Sequence, residues 1–139
     1  MELRTLRSRV GGVDLVAEVN VTGLAGFLLA KSAAARSRRK TKDWYDIAFV
    51  LLHNDAGGPS EAAEVVARRF GAELAGVRTA LDDLRANFAE PAAQGPRAYA
   101  EQMSVDHPDL PWTTLLADAV VAVGAFHGRL MRAADDDSL

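Results

Sequence analysis

The chain has 139 residues, 49% hydrophobic and 25% charged, with a formal charge of -3 and no cysteine. That length suits one domain able to bury roughly two thirds of the surface its extended form exposes, and the composition excludes wholesale disorder. The missing cysteine excludes disulfides, thiolate metal sites and cysteine nucleophiles, and the mild negative charge argues against a surface built throughout for nucleic acid while leaving room for a local basic patch.

In chain order, residues 2–10 and 13–21 read as two strands. In the second, Val13, Leu15, Ala17, Val19 and Val21 recur with period two. Gly11-Gly12 between them is a two-residue hairpin signal, since a primed turn needs positive φ. Thr22 is the expected cap of a first helix with Leu24, Phe27, Leu28, Lys31 and Ala35 on one face. The basic run of residues 36–40 is expected to be a loop, and Thr41 to cap a second helix lined by Trp44, Ile47, Ala48 and Leu51. Asn54 to Pro59 should stop that helix. Ser60 should cap a third, with Ala63, Val66, Ala67 and Phe70 as its stripe. A fourth carries Leu74, Val77, Leu81, Leu84 and Phe88. Residues 91–96 read as a loop, 97–103 as a short helix and 107–111 as an extended connection. The last helix has the widest stripe: Leu115, Leu116, Ala119, Val120, Val123, Phe126 and Leu130.

The expected architecture is therefore α+β, mostly α. A short β-hairpin over residues 1–21 precedes a bundle of five to six helices over 22–134. Residues 1–134 form a single domain and 135–139 an acidic disordered tail. A lone two-stranded hairpin is marginal in water and both of its strands are edges. A homodimer, or a separately encoded partner joining through the edge strand, is the expected remedy. The longest apolar run, residues 24–30, is too short to cross a bilayer, and Arg4, Arg7 and Arg9 interrupt any signal-like stretch. The expectation is a cytoplasmic protein with no membrane association.

The chemistry-bearing residues cluster between positions 31 and 46. Lys31 lies on an apolar helix face, so its ammonium wants an acidic partner. Asp43 and Asp46 are three apart near the start of the next helix, where they share a face and complement the macrodipole. Two helices joined by a short loop pack as antiparallel neighbours, so Lys31 should lie within roughly 4 Å of Asp43 or Asp46. Arg38 should flank a basic, partly open concavity beside them. Residue chemistry leaves two readings open: an anion site, or ion pairs that simply join two helices.

The run Leu28-Leu29-Ala30-Lys31, then Arg38, then Lys42-Asp43-Trp44-Tyr45-Asp46-Ile47 resembles the late motifs of the AbiEii/AbiGii-type nucleotidyltransferase toxin family. More weakly, residues 88–91 and 95–99 resemble the tail of some members. The resemblance implies that Lys31, Arg38 and Lys42 face nucleotide phosphates, with Asp43 and Asp46 orienting them or helping to place a metal. It also implies an amino-terminal Asp-x-Asp strand that holds magnesium; here Gly11-Gly12 is followed by Val13-Asp14-Leu15-Val16, with no second aspartate two residues on, and this hairpin falls where the family has its late strands. Asp14 with Glu18 is a weak substitute. No catalytic residue and no metal ligand is therefore assigned, and Mg2+ with a nucleoside triphosphate is expected only if a partner completes the site.

His53, His107 and His127 have no metal-ligand spacing, and no serine lies in a nucleophile-elbow context. Two functions follow. One is a truncated, split or degenerate nucleotidyltransferase-like protein, inactive alone, with a nucleotide as ligand. The other is a non-catalytic helical interaction or regulatory (antitoxin-like) module. RNA binding through residues 36–42 is a weaker third, because no aromatic residue interleaves that run.

Overall fold

The computed structural model describes the backbone of residues 5–10, 13–18 and 21–137 and the side chains of residues 23–135. Two strands, β1 (Thr5–Val10) and β2 (Val13–Glu18), precede six helices: α1 (Val21–Arg38), α2 (Thr41–His53), α3 (Pro59–Phe70), α4 (Leu74–Asn87), α5 (Gln94–Asp106) and α6 (Trp112–Asp137). A single 3-10 turn, Gly71–Glu73, joins α3 to α4.

The expected α+β class is corrected. Residues 23–135, which carry the whole described core, contain no strand, and the packed body is all-α. The two strands pair antiparallel with each other alone, Thr5 opposite Glu18 and Val10 opposite Val13. A fold class is set by the layers that enclose a core, and this two-stranded ribbon adds no layer to the bundle. The Gly11-Gly12 turn, Asp14 with Glu18, and the edge-strand interface lie outside the residues whose side chains are described.

The bundle is built around α2, which packs on α1, α5, α6 and, more lightly, α3. Every residue from Asp43 to Ala48 is buried, so the first half of α2 is covered on all sides. On the far side α6 lies against α3, α5, α4 and α2. Its stripe of Leu115, Ala119, Ala122, Val123, Phe126 and Leu130 is taken up by the core. Among the described residues α6 is the one helix long and apolar enough to cross a membrane. The length and composition of a long core helix meet the same criterion. The α2 stripe is inside; of the stripes expected on α3, α4 and α6, Ala67, Phe70, Val77, Leu116 and Val120 are only partly buried.

Several helices are longer than expected, although α4 ends at Asn87, one residue short of Phe88. Thr22 and Ser60 lie within α1 and α3 rather than before them, and Thr41 is the first residue of α2, whose capping position is Lys40 with no side-chain cap. Most of the basic run is helical, since α1 continues through Arg38. α5 begins at Gln94, with Pro96 in its first turn, where a missing N–H costs nothing. The run Asp135-Asp136-Asp137 closes α6 rather than forming a tail.

Two turns have identifiable causes. After α2, the Asn54 side-chain oxygen accepts from the Ala56 and Gly57 amides, and its amide donates to the Leu51 and Gly58 carbonyls. After α1, Arg39 adopts φ 52°, the one non-glycine residue at positive φ among those described. It is held there by a salt bridge to Asp83 on α4 at 3.3 Å and by its guanidinium lying 5.9 Å from the Trp44 ring centre. Gly95 is where side-chain absence matters most, because an added Cβ would sit 2.4 Å from the fully buried Phe88 ring. Gly95→Ala should lower the unfolding free energy by about 1–3 kcal/mol as an overpacked core site. Gly76→Ala, in the first turn of α4 with nothing within 4 Å, should be neutral or stabilising by up to about 1 kcal/mol; urea denaturation of both variants checks the pair.

Candidate functional site

α1 and α2 form a helical hairpin whose connection is only Arg39 and Lys40. Lys31 and Arg38 are seven residues, about two turns, apart and therefore share one face of α1. Asp43 and Asp46 share one face of α2, with Lys42 four residues before Asp46. The hairpin lays these faces together. The Lys31 ammonium donates to Asp43 Oδ1 at 3.3 Å and to Asp46 Oδ2 at 3.0 Å. Arg38 grips Asp43 with two donors, Nη2 to Oδ1 at 2.7 Å and Nε to Oδ2 at 3.3 Å. Lys42 Nζ donates to Asp46 Oδ2 at 3.2 Å.

All five residues singled out in the sequence are thus one connected network. The carboxylates are its inside: Asp43 is 1% and Asp46 5% exposed. The cations are its outside, with the Arg38 side chain 50% exposed, Lys42 46% and Lys31 21%. Lys31 is the deepest of the three and also lies 5.8 Å from the Phe27 ring centre. Three cations against two carboxylates leave one net positive charge on this corner of an otherwise acidic chain.

Beside the network, α2 and α5 enclose a groove of about 260 Å³. Lys42 and Tyr45 line one side, Ala98, Glu101, Gln102 and Val105 the other, with Thr41 at the end. Lys42 therefore belongs to both the network and the groove. It is not the basic concavity expected beside Arg38, because Arg38 is not among the residues lining it and Lys42 shares it with Glu101. Tyr45 and Tyr99 stack at 6.0 Å between ring centres and tie α2 to α5. Burial, aided by the negative charge of Asp106, pushes the Tyr45 hydroxyl up to about 12. Burial and then Asp118 do the same to Tyr99.

The groove and Arg39 escaped the sequence reading, and for Arg39 nothing in the residue order signals a left-handed turn or an Asp83 partner. The histidines do not converge. The His53 ring lies tilted against Phe49 at 4.8 Å, where burial lowers its pKa. His127 Nε2 lies 2.9 Å from Asp82 Oδ1, and His107 is exposed. Among the described residues no three acidic or histidine side chains form a group able to hold a metal ion. Comparison with known proteins finds no matching family model, no curated relative and no similar solved structure.

The network's own energetics are testable. Among the described residues Lys31 is the one cation bonded to both buried carboxylates, and Arg38 and Lys42 still hold one each when it is lost, so Lys31→Met should cost about 1.5–3 kcal/mol, as for lost hydrogen bonds to charged groups. Lys42→Ala removes an exposed, same-helix pair and should cost under about 1 kcal/mol. Chemical denaturation of the two variants separates inside from outside.

The tyrosines supply a second check, because the chain has only two. Both hold their protons to about 12 in the folded state, whereas in the unfolded chain they titrate near 10. The unfolded state therefore releases protons first, and stability falls as pH rises above about 10. The phenolate absorbance of the native protein should stay flat through about pH 10.5. A normal rise there would show the rings solvated.

Proposed function

We propose that this chain is the phosphate-facing helical part of a nucleotidyltransferase-like system, of the AbiEii/AbiGii type that residues 28–47 resemble, and that it transfers no nucleotidyl group alone. The observation that supports this reading is the convergence of Lys31, Arg38 and Lys42 on two buried aspartates. Phosphoryl and nucleotidyl transfer depend on positioning phosphates and neutralising their charge. A guanidinium and an ammonium, fixed from beneath by carboxylates and half open above, suit the positioning part.

Neutralisation of the reacting phosphate requires a divalent ion held by acidic ligands. In this reading a separately encoded partner joined at the strand edge contributes that clamp, and Mg2+ with the nucleoside triphosphate binds productively only in the completed assembly. The alternative is a non-catalytic helical interaction or regulatory module, antitoxin-like, in which the network only joins α1 to α2. The near-complete burial of Asp43 and Asp46 favours it.

Calorimetry with a panel of nucleoside triphosphates and magnesium separates the two. The phosphate reading expects saturable binding that falls tenfold or more in Arg38→Gln and Lys42→Ala, both chosen because their side chains are half exposed and the fold should tolerate them. Absence of saturable binding, in a protein that melts cooperatively, leaves the interaction module. Incubation with labelled nucleotide and RNA acceptors should give no label transfer from the isolated chain.

A further inference from the structure

We propose that two copies of this chain pair by exchanging Trp112, each indole seating in the α2–α5 groove of the other copy. The starting point is where the exposed apolar side chains lie. Among the described residues four large hydrophobics are exposed: Val105, Leu110, Trp112 and Val121. Three of them gather at the α5–α6 connection, which is folded tightly by the Leu110 amide donating to the His107 carbonyl at 3.1 Å. A Trp left 42% exposed beside a Val at 75% forgoes the burial that makes aromatic rings dominate cores and interfaces. Apolar residues grouped in this way, rather than scattered singly, mark a contact surface.

The socket lies beside the plug. Val105 opens the connection and also lines the groove, so each copy presents both halves of the contact next to one another, as an isologous two-fold interface requires. The groove, at about 260 Å³, has room for one indole. Tyr45, Ala98 and Val105 give it apolar walls, and Glu101 or Gln102 can accept from the indole N–H. The charges argue for a second copy as the occupant. Thr41 closes the groove's end, and before it Lys40 is exposed with no ion pair among the described residues. Asp109, three residues before Trp112, is exposed and equally unpaired. A second copy's Trp112 in the groove carries its Asp109 towards Lys40, and the two-fold axis repeats the pair. Complementary charges flanking an apolar anchor set register and exclude wrong partners. A different protein would have to supply the same aromatic and carboxylate together, which this chain already carries. The interface uses none of residues 5–18 and so is separate from any pairing of strand edges.

Sedimentation equilibrium of the full chain over a range of concentrations tests the pairing. The chain should dimerise, and Trp112→Ala should weaken the dimer about tenfold or more, as for a buried aromatic anchor. A thermal melt at low concentration, where both proteins are monomeric, should show that this exposed substitution leaves the fold intact. Lys40→Glu and Asp109→Lys should each weaken the dimer severalfold, and the double variant should recover most of the loss. Tryptophan emission gives a second readout. Trp44 is 1% exposed within the bundle, so a red shift on dilution of the native chain reports Trp112 returning to water. A monomer at every concentration would overturn the proposal. A dimer unmoved by Trp112→Ala would overturn it in favour of another surface, and a double variant as weak as the single ones would overturn the seating of Asp109 on Lys40.

Discussion

Two carboxylates buried in the first turns of α2 constrain everything around them. α2 is the central helix, enclosed from Asp43 to Ala48, and acidic residues at a helix start are ordinary because they oppose the macrodipole. Enclosed, they are not ordinary, since removing an ion from water costs several kcal/mol even after relaxation. That cost is met only if cations arrive with good geometry. Lys31 and Arg38 can supply it because they lie two turns apart on one face of α1. The pairing therefore fixes both the register of α1 on α2 and the tight two-residue connection between them. Arg39 adopts its unfavourable backbone angle at that connection, at a cost of about 1–3 kcal/mol, offset by the Asp83 salt bridge and the Trp44 ring.

The part of this legible in the sequence was the part governed by local spacing. Positions 31 and 38, and 42, 43 and 46, reduce to helical faces, and a short connection brings two such faces together. Apolar stripes on α2, α3, α4 and α6 followed from the same periodicity. What escaped depends on contacts between distant segments. The groove joins Lys42 and Tyr45 to residues more than fifty positions later, and no pattern within either helix marks the space between them. Helix ends were misplaced because Thr22, Thr41 and Ser60 look like caps, whereas continued packing carries the helices past them. The fold class was misjudged for a related reason: alternation identifies a strand but not whether it encloses a core. Burial of both aspartates was also hidden, since a helix start reads as a surface feature until other helices cover it.

The two functional readings are less opposed than the burial of the aspartates suggests. A phosphate need not reach the carboxylates, only the N–H groups that face outward. Arg38 has five such donors and two are engaged; Lys42 has three and one is engaged, among the described residues. Anchoring from below removes much of the side-chain freedom that a phosphate would otherwise have to freeze out on binding. The same ion pairs that join α1 to α2 thus preorganise a cationic surface. The site lies on rigid helices rather than on a loop, which keeps donor positions fixed.

Preorganised recognition still falls short of transfer. Moving a nucleotidyl group requires an attacking oxygen in line with the leaving pyrophosphate and a charge to stabilise both as bonds change. Arg38 and Lys42 can draw electron density at one side of a phosphate, but nothing described lies opposite them to hold a nucleophile. The nearest acidic groups, Asp43 and Asp46, already accept from three cations. A second surface bearing free carboxylates would change this. It would meet the cation corner across the bound phosphate, and the nucleotide itself would become the contact between the two halves.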